Sequence, residues 1–187
     1  MFARVLGSTA AMALAALLVL PVSAWAQAQT SPGAGDVIVL ETEKGTIEIE
    51  TYPNEAPRTV AHILGLVKKR FYNGQRVHRV VANFVVQLGD PQTRDMTKQK
   101  QWGTGGSGGS VGVAEFSKTR KHAPGIVSMA HAGDPTKADS QFFICLGTPS
   151  HLDGKHQIFG QVISGMDVVR KIAVGDRIVR ATVREAK

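Results

Sequence analysis

Short β-prone segments with a two-residue period, separated by turn residues, run through most of this chain and commit it to a fold built around a sheet. Thr46-Ile47-Glu48-Ile49-Glu50-Thr51 alternates apolar with polar residues, and with Val37 to Thr42 it flanks Glu43-Lys44-Gly45, as a hairpin with one buried face should. The period then changes. Pro57 suits a first helical turn, and Val60, Ile63, Leu64 and Val67 recur at helical spacing, so a helix is predicted from Ala56-Pro57 to about Lys69. Further strands are predicted at Val77 to Val81, Phe84 to Leu88, Ile126 to Ala130, Gln141 to Leu146, Ile158 to Ile163 and Arg177 to Arg184, with a short helix near Met166 to Ala173. Gln92 to Gly112 reads as a long loop with six glycines between Gly103 and Gly112, and long loops in compact domains are often functional. The expected fold is mainly β: a closed eight-stranded antiparallel barrel capped by two α-helices, in one domain over residues 37–187.

The first 26 residues stand apart. Arg4 is followed by a charge-free stretch with an apolar run from Ala10 to Leu20 and then Ala24-Trp25-Ala26, the layout of a secretory signal peptide with cleavage after Ala26. The apolar run is short for a spanning helix of about 20 residues, and an uncleaved N-terminal membrane anchor is the alternative. Residues 27–36, rich in Ala, Ser, Pro and Gly, read as a flexible leader. The export signal points to a periplasmic location, with no membrane attachment after cleavage.

Lys and Arg number 22 against 15 Asp and Glu, a net charge of +7. The basic runs Lys68-Lys69-Arg70 and Lys118-Thr119-Arg120-Lys121-His122 lack the interleaved aromatics of a single-strand binding surface, so they read as solvated faces and no nucleic-acid partner is expected. The one cysteine, Cys145, excludes an internal disulfide and sits in the apolar run Phe142 to Leu146, where a structural strand residue is expected. The histidines form no HExxH and have no cysteine partners, so no metal is expected. The glycine loop lacks a following Lys-Ser or Lys-Thr, and there is no G-x-S-x-G serine.

A set of ordered blocks carries a resemblance. Phe71-Tyr72-Asn73-Gly74, His78-Arg79-Val80-Val81, Phe84-Val85-Val86-Gln87-Leu88-Gly89-Asp90, Gly103-Thr104-Gly105-Gly106, Pro124 to Ala130, Ser140 to Cys145, Leu152 to His156 and Phe159-Gly160-Gln161-Val162 together resemble the cyclophilins, which are peptidyl-prolyl cis/trans isomerases. The resemblance implies an active groove on the outer face of the sheet. Strand alternation agrees, since Gln141, Phe143 and Cys145 share one face while Phe142, Ile144 and Leu146 share the other.

By that resemblance Arg79 and Gln87 are the catalytic pair, with Phe84, Val85, Phe143 and Leu152 around the proline ring and His156 at the rim. Gly103, Ala130, His131, Ala132, Gln141 and His151 match further groove positions, the role of His131 being a backbone one. The partners implied are proline-containing polypeptides, with no cofactor and a monomeric chain; a non-catalytic proline-peptide binding module is the alternative. Val85 stands where familiar members have methionine, His131 where many have asparagine, and His151 where eukaryotic members often have a tryptophan associated with cyclosporin binding. Weak cyclosporin binding is therefore expected.

Overall fold

The computed structural model describes Met1 and residues 35–186, so the expected signal peptide and most of the leader lie outside the described residues. Gly35 and Asp36, counted with the leader, are bonded to the sheet: the Gly35 amide donates to the Thr51 carbonyl at 3.1 Å, and the Thr51 hydroxyl to the Asp36 carbonyl at 2.7 Å. Among the described residues no helix is long and apolar enough to cross a membrane.

Eight strands form one antiparallel sheet: β1 (Val37–Thr42), β2 (Gly45–Thr51), β3 (Arg79–Val81), β4 (Val85–Leu88), β5 (Ile126–Met129), β6 (Phe142–Cys145), β7 (Ile158–Ser164) and β8 (Ile178–Arg184). Their order is β3-β4-β6-β5-β7-β2-β1-β8. Among the described residues two α-helices accompany them, α1 (Pro57–Lys68) and the four-residue α2 (Met166–Val169), which is shorter than the sequence suggests. The long loop contains two 3-10 helices, Pro91–Arg94 and Met96–Gln101, started by the Asp90 and Asp95 carboxylates accepting from backbone amides.

The sheet curls but does not close, which corrects the expectation of a closed barrel. β3 and β8 are its edges and do not pair. β3 has only three residues, beginning at Arg79 and not at Val77, and the preceding segment touches the start of β8 through one isolated bridge, Arg76 to Arg177. The Val77 amide donates to the Asp176 carbonyl at 2.9 Å, while the Arg76 amide donates to Thr93 Oγ1 at 2.8 Å. Backbone bonds such as Gly74 N–H to Ile178 O and Ile178 N–H to Gln75 O, both 2.8 Å, fill the gap without a strand pair.

Inside the curl lies the main core, in which α1 buries Val60, Ile63, Leu66 and Val67 against Ile38, Leu40, Tyr72, Phe142, Ile144 and Phe159. Pro57 opens α1 as its spacing suggests, but Ala56 offers no capping side chain. Glu115 supplies the cap from a distant loop, its carboxylate accepting from the amides of Arg58 at 3.0 Å and Thr59 at 2.8 Å. An acid there also complements the helix dipole.

The middle of the sheet is apolar on both faces: every residue of β5 and β6 is buried. Val86, Leu88, Val127, Met129, Phe142 and Ile144 point into the main core, while Val85, Ile126, Phe143 and Cys145 form a second apolar cluster on the outer face. Phe142 is fully buried and packs edge-on against both Tyr72 and Phe159, at centroid distances of 5.6 and 5.7 Å. Phe142→Ala should destabilise the fold by about 3–5 kcal/mol through lost burial and the residual cavity. Urea unfolding monitored by circular dichroism checks this; an unchanged midpoint would show that Phe142 does not anchor the core.

Candidate active site

The strand register sets out the site. On the outer face Arg79 of β3 lies opposite Gln87 of β4, Gln87 opposite Phe143 of β6, and Phe143 opposite Ser128 of β5. One lateral row thus carries a cation, an amide and an aromatic ring side by side.

Arg79 is exposed, and its Nη1 donates to Gln87 Oε1 at 3.1 Å while the guanidinium carbon stands 5.3 Å over the centre of the Phe84 ring. Gln87 Nε2 donates to Gln141 Oε1 at 3.0 Å, and Gln141 Nε2 donates to the carbonyls of Gly103 at 2.9 Å and Gly105 at 2.8 Å. A guanidinium can only donate and a backbone carbonyl can only accept, so the direction of every bond in this row is fixed and both glutamine amides have one orientation. The glycine loop is held in turn by buried Asp90, whose Oδ2 accepts from the Gly103 amide and from the Gly105 amide at 3.1 Å. Gly103 has a φ of +91°, and a Cβ there would stand 3.3 Å from His78 Cδ2, so a side chain at this position is both strained and crowded.

Beside the row the second apolar cluster forms a pocket floor. Val85, Phe143 and Cys145 are buried in it, and Phe84, Leu152 and Ala130 pack against it partly exposed. Burial pushes the Cys145 thiol up to about 12, which keeps it a neutral packing group and not a nucleophile. Histidines supply the walls. His151 stacks on Phe84 with centroids 5.7 Å apart, and His156 stands edge-on to Phe143 at 5.6 Å, its Nδ1 donating to the Met129 carbonyl at 2.9 Å. His131 stacks on His156 at 4.3 Å. A cavity of about 720 Å³ continues from the row, lined by Gln87, Gly103, Ala130, His131, Ala132 and Gln141 among others. Every site residue expected from the sequence therefore lies on this one face.

Several residues holding the site were not singled out by the sequence. Asp139 binds the loop through the Ser107 amide and hydroxyl, and accepts from His62 Nε2 at 3.0 Å. His122, expected in a solvated basic run, is fully buried behind Phe143, with Nδ1 2.8 Å from Asp153 Oδ1 and Nε2 3.1 Å from Ser128 Oγ. Arg120 of the same run bonds Glu55 at 2.7 Å and lies 3.7 Å over the Tyr52 ring. Asp90 and Asp139 sit next to Pro91 and Ser140 in turn-rich sequence, where an aspartate caps a turn by default, so their loop-holding role had no local signal.

The arrangement offers an exposed, positively charged donor, oriented by Gln87, beside a partly open apolar floor. Such a donor stabilises charge or a lone pair that develops on a bound molecule more than it stabilises the ground state.

Comparisons with known proteins bear on this geometry. The family described as cyclophilin type peptidyl-prolyl cis-trans isomerase/CLD matches residues 37–186. A peptidyl-prolyl cis-trans isomerase of Helicobacter pylori is 41% identical over 141 residues, spanning 74% of this chain and 81% of its own. A probable peptidyl-prolyl cis-trans isomerase of Brucella abortus is 36% identical over 187 residues, spanning 92% of this chain and 94% of its own. Among solved structures, a cyclophilin type peptidyl-prolyl cis-trans isomerase of Cryptosporidium parvum superposes with a TM-score of 0.71 at 23% identity, covering 82% of this chain and 99% of that one. A second structure of the Cryptosporidium protein, in the presence of the dipeptide Ala-Pro, gives 0.69 at 23% identity over 80% and 99%.

Two histidines of the site should make stability depend on pH. Burial holds His122 and His156 below the ordinary value of 6.5, outweighing Asp153 beside the first and the Met129 carbonyl beside the second. Below pH 6.5 the unfolded chain takes up protons that these two rings resist in the folded state, so stability should fall as pH drops from 7 toward 5. Urea midpoints across that range should decline, and His156→Gln should flatten the decline. A flat wild-type profile would remove both histidines from the account.

Proposed function

The chain belongs to the cyclophilin-type peptidyl-prolyl cis-trans isomerases, and from that membership we propose that Arg79 is the group through which it accelerates rotation about X-Pro bonds. The barrier to that rotation is about 18–20 kcal/mol because the C–N bond has partial double-bond character. At the twisted transition state the prolyl nitrogen loses conjugation and regains a lone pair. A guanidinium already fixed by Gln87 hydrogen-bonds that lone pair more strongly than the planar ground state, which lowers the barrier without a covalent intermediate. The observation that carries the assignment is the Arg79 to Gln87 bond of 3.1 Å placed directly beside the Phe84 ring.

In this reading Phe84, Val85, Phe143 and Leu152 hold the proline ring with His156 at the rim, so that the acyl side rotates while the ring stays fixed. Gln141 and Gly103 hold Gln87 from behind, and Ala130, His131 and Ala132 border the path of the substrate chain. The substrates are extended X-Pro segments of other polypeptides, on which a monomer acts.

The chain serves folding of exported proteins in the periplasm, after cleavage behind Ala26. Proline isomerisation takes about 10–100 s uncatalysed, slow enough to limit folding, which gives an exported catalyst a purpose. N-terminal sequencing of the protein recovered from the periplasm should begin at Gln27; recovery in the membrane fraction with Met1 or Phe2 at its start would favour the anchor.

The decisive assay is cis-to-trans conversion of a short X-Pro peptide. Wild type should accelerate it, and Arg79→Ala should lower kcat/KM at least about tenfold, equivalent to ~1.4 kcal/mol of transition-state stabilisation. Arg79→Lys should recover little, because an ammonium lacks the planar fork that meets Gln87 and substrate together. Cyclosporin added to the same assay should inhibit weakly, since His151 offers a smaller and more polar surface than the tryptophan of eukaryotic members. Wild-type rates left untouched by Arg79→Ala would move the donor role elsewhere. A folded wild type with no acceleration would leave a peptide-capture module.

A further inference from the structure

Behind the glycine loop, on the side away from the groove, lies a second cavity of about 770 Å³ whose lining includes His62, Lys69, Arg70, Phe71, Arg94 and Ser107. Three full cations from two separate elements converge on it, Lys69 and Arg70 from the end of α1 and Arg94 from the 3-10 helix Pro91–Arg94. By contrast Arg177, just before β8, and Arg180 and Arg184 within it pair with Glu43, Glu41 and Glu48. Among the described residues Lys69, Arg70 and Arg94 have no carboxylate within 4.0 Å. Asp139, which touches the lining residues His62 and Ser107, is engaged by both.

Cations at a helix C-terminus commonly offset the dipole, and that accounts for Lys68 and Lys69. It does not account for Arg94, which comes from another element. Its guanidinium donates only to the neutral carbonyls of Asn73 and Phe71 and lies 5.7 Å over the Phe71 ring. Nor does it account for the backbone at Arg70. The Arg70 amide bonds the Val67 carbonyl at 2.8 Å and the Phe71 amide bonds the Leu66 carbonyl at 3.0 Å, a Schellman ending with Arg70 at the left-handed position, φ +58°. Glycine occupies that position without strain, whereas arginine is held there against its own preference. Arg70 in this conformation lines the cavity together with two other cations that have no carboxylate partner.

We propose that this cavity binds a phosphate-bearing ligand. A phosphoryl group carries up to two negative charges and three acceptor oxygens, which match three convergent cationic donors better than a single carboxylate does. The two cavities share Gly108 and Gly109 in their linings, so the ligand would rest on the outer side of the loop whose inner carbonyls hold Gln141.

The test is calorimetric titration of the full chain with inorganic pyrophosphate, with amide NMR to locate the contact. Wild type should bind saturably in the millimolar range or tighter, more weakly as sodium chloride rises, with shifts confined to residues around Arg70, Arg94 and Ser107 to Gly109. Arg70→Gly should weaken binding at least about tenfold while its thermal midpoint holds or rises and its isomerase rate is unchanged. Lys69→Gln should weaken binding as well. Phosphatidylglycerol vesicles form a second arm: co-sedimentation that pyrophosphate displaces identifies a lipid headgroup as the source, and pyrophosphate binding without co-sedimentation identifies a soluble phosphate. Absence of saturable binding, or equal affinity in wild type and both variants, overturns the proposal.

Discussion

The two-sided burial of β4, β5 and β6 is the constraint on which this structure turns. A sheet with one wet face needs apolar residues only at alternate positions, but these strands are buried throughout β5 and β6. The inner set closes the main core against α1, and the outer set must find other cover. It finds it in side chains from loops, His122, His151, His156 and Leu152, which leave a partly open apolar floor where a fully covered sheet would have none. The groove is therefore what remains when the outer face is incompletely covered.

The polar row depends on the same register. Because β3 pairs with β4 and β4 with β6, Arg79, Gln87 and Phe143 fall on one line across the strands. Donor-only and acceptor-only ends then orient both glutamine amides with no freedom left to reverse. This preorganisation means that the guanidinium is already oriented before any ligand arrives. The short β3 that presents Arg79 is one open edge of the sheet, and it does not pair with β8.

The glycine-rich loop ties these features together. Asp90 and Asp139 fasten it by accepting from its amides, and its carbonyls return the hold to Gln141. Its residues serve as a partition with a groove on one side and a cationic cavity on the other, so two chemically different surfaces share one wall.

Local sequence alone determined which segments are strands and where α1 runs, because two-residue and helical periods are properties of neighbouring residues. The ordered blocks from Phe71 to Val162 also placed Arg79, Gln87 and the pocket residues, and alternation in Gln141 to Leu146 separated groove from core. What only the tertiary structure decided are interactions between groups far apart in the chain. The sheet stays open between β3 and β8, with Arg76 meeting Arg177 through one isolated bridge and its amide bonded to Thr93. The start of α1 took its cap from Glu115, the loop found Asp90 and Asp139, and His122, apparently part of a solvated run, was buried against Asp153. A charged or hydroxyl side chain bonds equally well to any partner that folding brings within about 3 Å, so its partner is set by the path of the backbone and not by its neighbours in sequence.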